Sequence, residues 1–131
     1  MNNFSGHTKD IFKEDQNARR KFREGVMDYK MIQINDNLRR KTILKIIKNN
    51  KKNLSGIDCF YSAFPFHHSH NITHLKIALK FAKESLRKGY KKAEKLVMAI
   101  EDRMCLVRGI PQKHGTQFML KEGKLVKYRM K

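Results

Sequence analysis

Apolar residues recur at helical spacing over most of the chain and at strand spacing only near its end. Ile11, Ala18 and Phe22 fall on one stripe of a helix predicted from about Thr8, its N-cap, to Arg23. Asp15 lies inside that stripe, four residues after Ile11 and three before Ala18. A carboxylate on a core-facing line costs several kcal/mol unless it is paired or neutralised. Arg19, one turn later, is its local partner. Residues 25–35 form a connection, and a second helix starts at Asn35 or Asp36. It carries Leu38, Ile43, Ile46 and Ile47, and ends near NNKKN before the Ser55–Gly56 loop.

The run IDCFYSAFPF is a short helix or a buried extended segment that turns at Pro65. Asn71 caps a helix over about 72–88, which stops at Lys88–Gly89. Its main stripe is Ile72, Leu75, Leu79, Ala82 and Leu86, and a second stripe holds His74, Ile77 and Phe81. Two apolar faces predict that this helix sits between neighbours, at the centre of the fold. The next helix, about 90–108, shows Ala93, Val97, Ile100, Met104 and Val107 on one face, and Gly109 closes it. Arg103 borders that face, whereas Asp102 points away from it and needs other cover if buried. After the loop GIPQKHGTQ, the pattern alternates. Phe118 and Leu120 precede a Glu122–Gly123 turn, and Val126, Tyr128 and Met130 follow it. The predicted fold is therefore mainly α, with four to five helices closed by a C-terminal β-hairpin. It forms a single domain over 1–131, with a helical body at about 8–108 and a loop and hairpin at about 109–131.

Length and composition agree with one globular domain: 131 residues, 40% apolar and 32% charged. No apolar run approaches the roughly twenty residues that cross a bilayer, and the start MNNFSGHTKD has no signal-peptide core. Cys59 and Cys105 are isolated, without CxxC spacing. Together these predict an intracellular, cytoplasmic protein with reduced thiols and no membrane association. The net charge of +18 changes the picture further, because such a surface attracts anionic small molecules or nucleic acid. The long acid-free basic stretch is 39–52, with Arg39, Arg40, Lys41, Lys45, Lys48, Lys51 and Lys52. No helix-turn-helix or zinc-finger pattern accompanies it, and the aromatics sit in apolar runs rather than between basic residues.

Four of the six histidines, His67, His68, His70 and His74, crowd into FHHSHNITH. The i, i+3, i+7 spacing of His67, His70 and His74 suggests a metal site, but Asn71 as N-cap leaves the first two outside the helix. No carboxylate or thiolate is close enough in sequence to complete a ligand set, and HExxH is absent. No metal and no cofactor is expected. His74 belongs to an apolar stripe and His70 to a turn. His67 and His68, just ahead of a helix N-terminus, are either neutral general bases or caps of backbone groups.

A second polar constellation is dispersed. It comprises Asp15, Gln16 and Arg19 early, Asp102 and Arg103 late, and Gln112, Gly115, Thr116 and Gln117 in the loop beyond. The segment DRMCLVRGIPQKHGTQF resembles the C-terminal signature of an uncharacterised family of small bacterial domains. In that family a DR pair precedes G-x-P-Q, an aromatic and G-T-Q. EDQNARR resembles its D-Q-x-x-R motif, and FHHSHNITH its histidine segment ahead of a helix, so the likeness spans about residues 10–120. The resemblance implies Asp15, Gln16, Arg19, His67 or His68, Asp102, Arg103, Gln112, Gly115, Thr116 and Gln117 as a shared polar set. His114 stands where the family has tyrosine, which removes a phenol hydroxyl and leaves a ring that can stack and hydrogen-bond. The family carries no settled activity, so the resemblance implies a site and leaves the reaction open.

These residues predict a small metal-independent enzyme of hydrolase or transferase type, acting on a nucleotide-like or other anionic substrate. His67 or His68 would be the general acid/base, oriented by Asp15 or Asp102. Arg19 and Arg103 would anchor the anionic group, and Gln16, Gln112, His114, Gly115, Thr116 and Gln117 would line the ligand. The alternative is a non-catalytic basic protein that binds nucleic acid through 39–52.

Overall fold

A computed structural model describes residues 4–25, 28–50, 54–121 and 124–127. Five helices make up the body: α1 (Phe4–Arg23), α2 (Tyr29–Asn50), α3 (Gly56–His67), α4 (Ile72–Arg87) and α5 (Ala93–Val107). The expectation of helices closed by a C-terminal β-hairpin is corrected: the body is all-helical and no sheet closes it. Phe118–Lys121 and Lys124–Lys127 run antiparallel to each other, and among the described residues neither segment's backbone lies against a helix. A ribbon of two four-residue segments has too little area to cover a helical core. The turn at Glu122–Gly123, and Tyr128 and Met130, lie outside the described residues.

The centre of the fold is α3, which touches all four other helices; α4, expected there, packs only on α3 and α5. α3 can be central because small or apolar residues surround its axis, with Cys59, Ser62, Ala63, Pro65 and Phe66 all buried. It begins in a capping box. Ser55 Oγ accepts from the Asp58 N–H and the Asp58 carboxylate accepts from the Ser55 N–H, each at 3.2 Å. Pro65 does not prevent this helix: it falls in the last turn, so it removes the bond to the Tyr61 carbonyl with only Phe66 and His67 left to follow it. Its carbonyl instead accepts from Arg40 Nη1 at 2.9 Å.

Other boundaries differ from the sequence expectation for similar reasons. α1 starts at Phe4, so Thr8 is no cap. It is buried inside the helix and donates through Oγ1 to Asp58 Oδ1 at 2.8 Å, tying α1 to α3. α2 starts at Tyr29 because Ile32, Asp36, Arg39, Ile43 and Ile46 form one buried stripe along it; Leu38 is off that stripe and 55% exposed. Asn71 does cap α4, accepting from Thr73 N–H at 2.8 Å. α5 buries Ala93, Leu96, Ile100, Met104 and Cys105 against α4. Phe66, Ile43, Leu75 and Ile100 are fully buried and mark the core where α2, α3, α4 and α5 meet. Among the described residues no helix is long and apolar enough to cross a membrane.

Phe66 comes from the hub helix and is wholly enclosed, so Phe66→Ala leaves a cavity that the surrounding helices cannot fill. Urea unfolding of this variant should show a loss of about 3–5 kcal/mol.

Candidate functional site

The buried acid of α1 is the site's first constraint. Asp15 has 0% exposure and takes partners from three elements. His68 Nε2 donates to its Oδ2 at 2.8 Å, and Gln16 Nε2 donates to the same oxygen at 3.0 Å. Arg19 Nη1 lies 3.3 Å and Arg39 Nε 3.9 Å from Oδ1. Burial alone would raise this carboxyl. The His68 hydrogen bond and the charges of His68, Arg19 and Arg39 outweigh burial and hold it below the usual carboxylate range. The arginines are themselves fixed by α2. Arg19 makes two parallel bonds to Asp36, at 2.7 and 2.5 Å, and Arg39 reaches Asp36 at 3.3 Å and Glu14 at 2.9 Å.

The histidine segment is placed differently from expectation. His67 is the last residue of α3 and His68 its C-cap, so both sit at a helix C-terminus, whose dipole favours imidazolium. Burial, followed by the charges of His68 and Arg103, pulls the His67 imidazole well below its ordinary range. Its Nδ1 is shut from solvent and has no hydrogen-bond partner among the described residues. His68 is different: one ring nitrogen is engaged by Asp15, and Nδ1 has no partner among the described residues. His70 is exposed, with Nε2 3.4 Å from Tyr29 Oη. His74 is partly buried, its ring edge-on to Phe66 and its Nδ1 2.7 Å from Ser69 Oγ.

His68 opens onto a cleft of about 430 Å³ between α1, α2, the α3–α4 turn and α5. Arg19, Arg40, Arg103, Asp36, Tyr29 and His68 are among its walls. Arg19 is neutralised by Asp15 and Asp36, whereas Arg40 and Arg103 have no carboxylate within ion-pair distance among the described residues. Arg103 donates to the carbonyls of Ser69 at 3.3 Å and His68 at 3.2 Å. Burial pulls both guanidiniums below their usual range, with Asp36 opposing this at Arg40. Two cations thus line a partly enclosed cleft beside an Asp–His pair.

The remaining expected site residues gather elsewhere. Asp102 is fully buried and accepts four bonds: from the N–H groups of Lys113, His114 and Thr116 at 2.8 Å each, and from Thr116 Oγ1 at 2.7 Å. Burial pushes its carboxyl up, and the Thr116, His114 and Lys113 bonds outweigh that and hold it low. Gln112 and Gln117 brace the loop, with Gln117 N–H donating to Gln112 Oε1 at 2.9 Å and Gln112 Nε2 to Gln117 O at 3.1 Å. Gly115 takes φ 70°, which lets the chain wrap the carboxylate, and His114 Nε2 lies 3.1 Å from Glu101. None of these loop residues, nor Asp102, lines the cleft, and Asp102 bonds the loop rather than His67 or His68.

Of the basic run, Arg39 is 5% exposed and ion-paired, and Arg40 faces the cleft. Lys41, Lys45 and Lys48 are exposed, and Lys51 and Lys52 lie outside the described residues. Among the described residues no group of three or more His, Cys, Asp or Glu side chains could hold a metal ion. Arg40, Asp36 and Tyr29 were not singled out as pocket residues from sequence. The signal was there for Asp36: with α2 begun at Tyr29, it falls on the buried stripe, as Asp15 does on α1. Comparison with protein-family models, curated proteins and solved structures gives no match for this chain.

Two outcomes follow from these geometries. His67 is held neutral in the fold but takes up a proton at its ordinary value, about 6.5, once unfolded. Stability should therefore fall as pH drops below that value. Thermal unfolding of His67→Asn between pH 7 and 5 should show a flatter slope than the parent. Asp102→Asn weakens the four-bond cradle and should cost about 1–3 kcal/mol in denaturant unfolding.

Proposed function

We propose that the chain is a small enzyme, of hydrolase or transferase type, whose substrate is anionic and nucleotide-like or of similar chemistry. The observation that carries this reading is the 2.8 Å His68–Asp15 pair beside a cleft holding two guanidiniums that have no acid partner among the described residues. Donation from Nε2 to the carboxylate fixes the tautomer that leaves a lone pair on Nδ1, and Asp15 stabilises the imidazolium once formed. A water or acceptor hydroxyl would give its proton to Nδ1 as its oxygen bonds to the phosphorus or acyl carbon. The same proton would then pass to the departing oxygen. Arg40 and Arg103 would hold the anionic group bidentately, and Arg19 would serve by fixing Asp15 against Asp36. His67, buried and neutral, would seat His68 rather than titrate, and Asp102 would hold the 112–117 loop. The resemblance to the uncharacterised bacterial family is part of the proposal. Asp15, from its first motif, pairs with Arg19 and His68, which line the cleft, and its last motif closes on Asp102.

The test is turnover of phosphate esters and nucleotides followed by phosphorus NMR. His68→Gln should lower kcat by about 10²–10⁴-fold with the far-ultraviolet spectrum unchanged, and Arg103→Lys should act mainly on KM. Turnover that survives His68→Gln would end this reading. One observation favours the second reading, a non-catalytic nucleic-acid binder: Lys41, Lys45 and Lys48 are exposed at i, i+4, i+7 along α2. Its affinity would fall steeply with salt and drop when those three lysines are changed together.

A further inference from the structure

The second apolar stripe of α4 is only half covered: Phe81 lies against Phe66 and Ile77 packs on the core, yet both also line a trough. α4 packs on α3 and α5 through Leu75, Ala78 and Ala82, while α2 and α4 do not pack on each other. Between them lies an open trough of about 630 Å³ whose apolar floor includes Leu44, Ile47, Leu54, Ile77 and Phe81. Leu44 is 47% exposed there. Uncovered apolar surface of this kind in a helical body marks a docking site.

The charged residues lining the trough are Lys48 on the α2 side and Lys80, Lys88 and Glu84 on the α4 side. Glu84 is engaged by Arg87 and Lys88, whereas Lys48 and Lys80 are exposed and make no ion pair among the described residues. A concave apolar floor with an unpaired lysine on each side complements a rod with one apolar face and acidic flanks. A flat lipid surface would not follow the concavity. Nucleic acid would find the lysines, but it would meet an aliphatic floor with one aromatic ring and no amide side chains to read bases.

We propose that this trough is a docking groove for an acidic amphipathic helix of a partner protein. Ile77 and Phe81 would receive its apolar side chains at i, i+3, i+4 spacing, and Lys48 and Lys80 would pair with its flanking carboxylates. This surface is separate from the His68 cleft and stands whether or not the chain is an enzyme.

The experiment titrates the full isotopically labelled chain with a synthetic helical peptide bearing leucines on one face and glutamates beside them. Shift changes should concentrate at Leu44, Ile77 and Phe81. Lys48→Glu with Lys80→Glu should weaken binding by at least about tenfold, and Lys95→Glu, on α5, should leave it within about twofold. A peptide of the same composition in scrambled order should bind at least tenfold more weakly. Equal binding of ordered and scrambled peptides overturns the proposal, as does a shift pattern centred away from the trough. So does tighter binding of a single-stranded oligonucleotide or of phosphatidylglycerol vesicles at the same residues.

Discussion

A carboxylate removed from water has to be compensated where it stands, and Asp15 is compensated from its own helix, from α2 and from the end of α3. This sets the relation of those three helices. Arg19 shares its Nη1 between Asp15 and Asp36, and Arg39 spans Asp36, Glu14 and the Asp15 side. Loss of one member of such a buried set costs about 3–5 kcal/mol, while replacing the whole set with apolar residues is often neutral or stabilising. Stability alone therefore gives no reason for charges here. Their placement beside a cleft does.

Three of the four buried aspartates, Asp15, Asp58 and Asp102, make the distinction sharper. Asp58 accepts from the Thr8 hydroxyl and from Ser55, and so joins α1 to the start of α3. Asp102 accepts three backbone N–H groups and one hydroxyl, and so folds the 112–117 loop against α5. Among the described residues both accept from neutral donors, which hold a shape and have no proton to exchange near pH 7. Asp15 instead faces an imidazole and two guanidiniums, and imidazole is the group whose proton moves in that range. Of these three, two hold the fold together and one, Asp15, stands behind a polar cleft on His68.

Much of the helical frame was legible in the sequence, since periodicity and the Asn71 cap mark α4 and α5 closely and Asp15 stood out as an acid on an apolar line. Legibility failed where tertiary packing overrode a local signal. Thr8 looked like a cap because a threonine before an apolar rhythm often is one, but a longer α1 put its hydroxyl within reach of Asp58. Pro65 looked like a helix breaker because its place in the last turn is invisible without the helix start at Gly56. α4 looked central because two apolar stripes suggest neighbours on both sides, but His74 and Phe81 of the second stripe lie against Phe66 of α3. The alternation after residue 117 was real as a pattern, but a pattern does not say whether the paired segments pack on anything. The candidate site was half legible. Asp15, Arg19, His68 and Arg103 share surroundings. The Gln112–Gln117 group spends its hydrogen bonds internally, and sequence alone cannot tell a donor aimed at a ligand from one aimed at a carbonyl.

The hardest question for the cleft is whether Arg40 and Arg103 are there for a ligand or simply cap α3. They do cap it: Arg40 takes the carbonyl of Pro65, and Arg103 takes those of His68 and Ser69. A helix C-terminus carries about half an elementary negative charge, so it offsets only part of two full guanidinium charges. Each guanidinium has five N–H donors, of which Arg40 uses one and Arg103 two among the described residues. Capping accounts for how the two cations are held at the cleft wall. It leaves charge and donors over, on the side where His68 stands with an unengaged Nδ1, and an anion is the group that would use both.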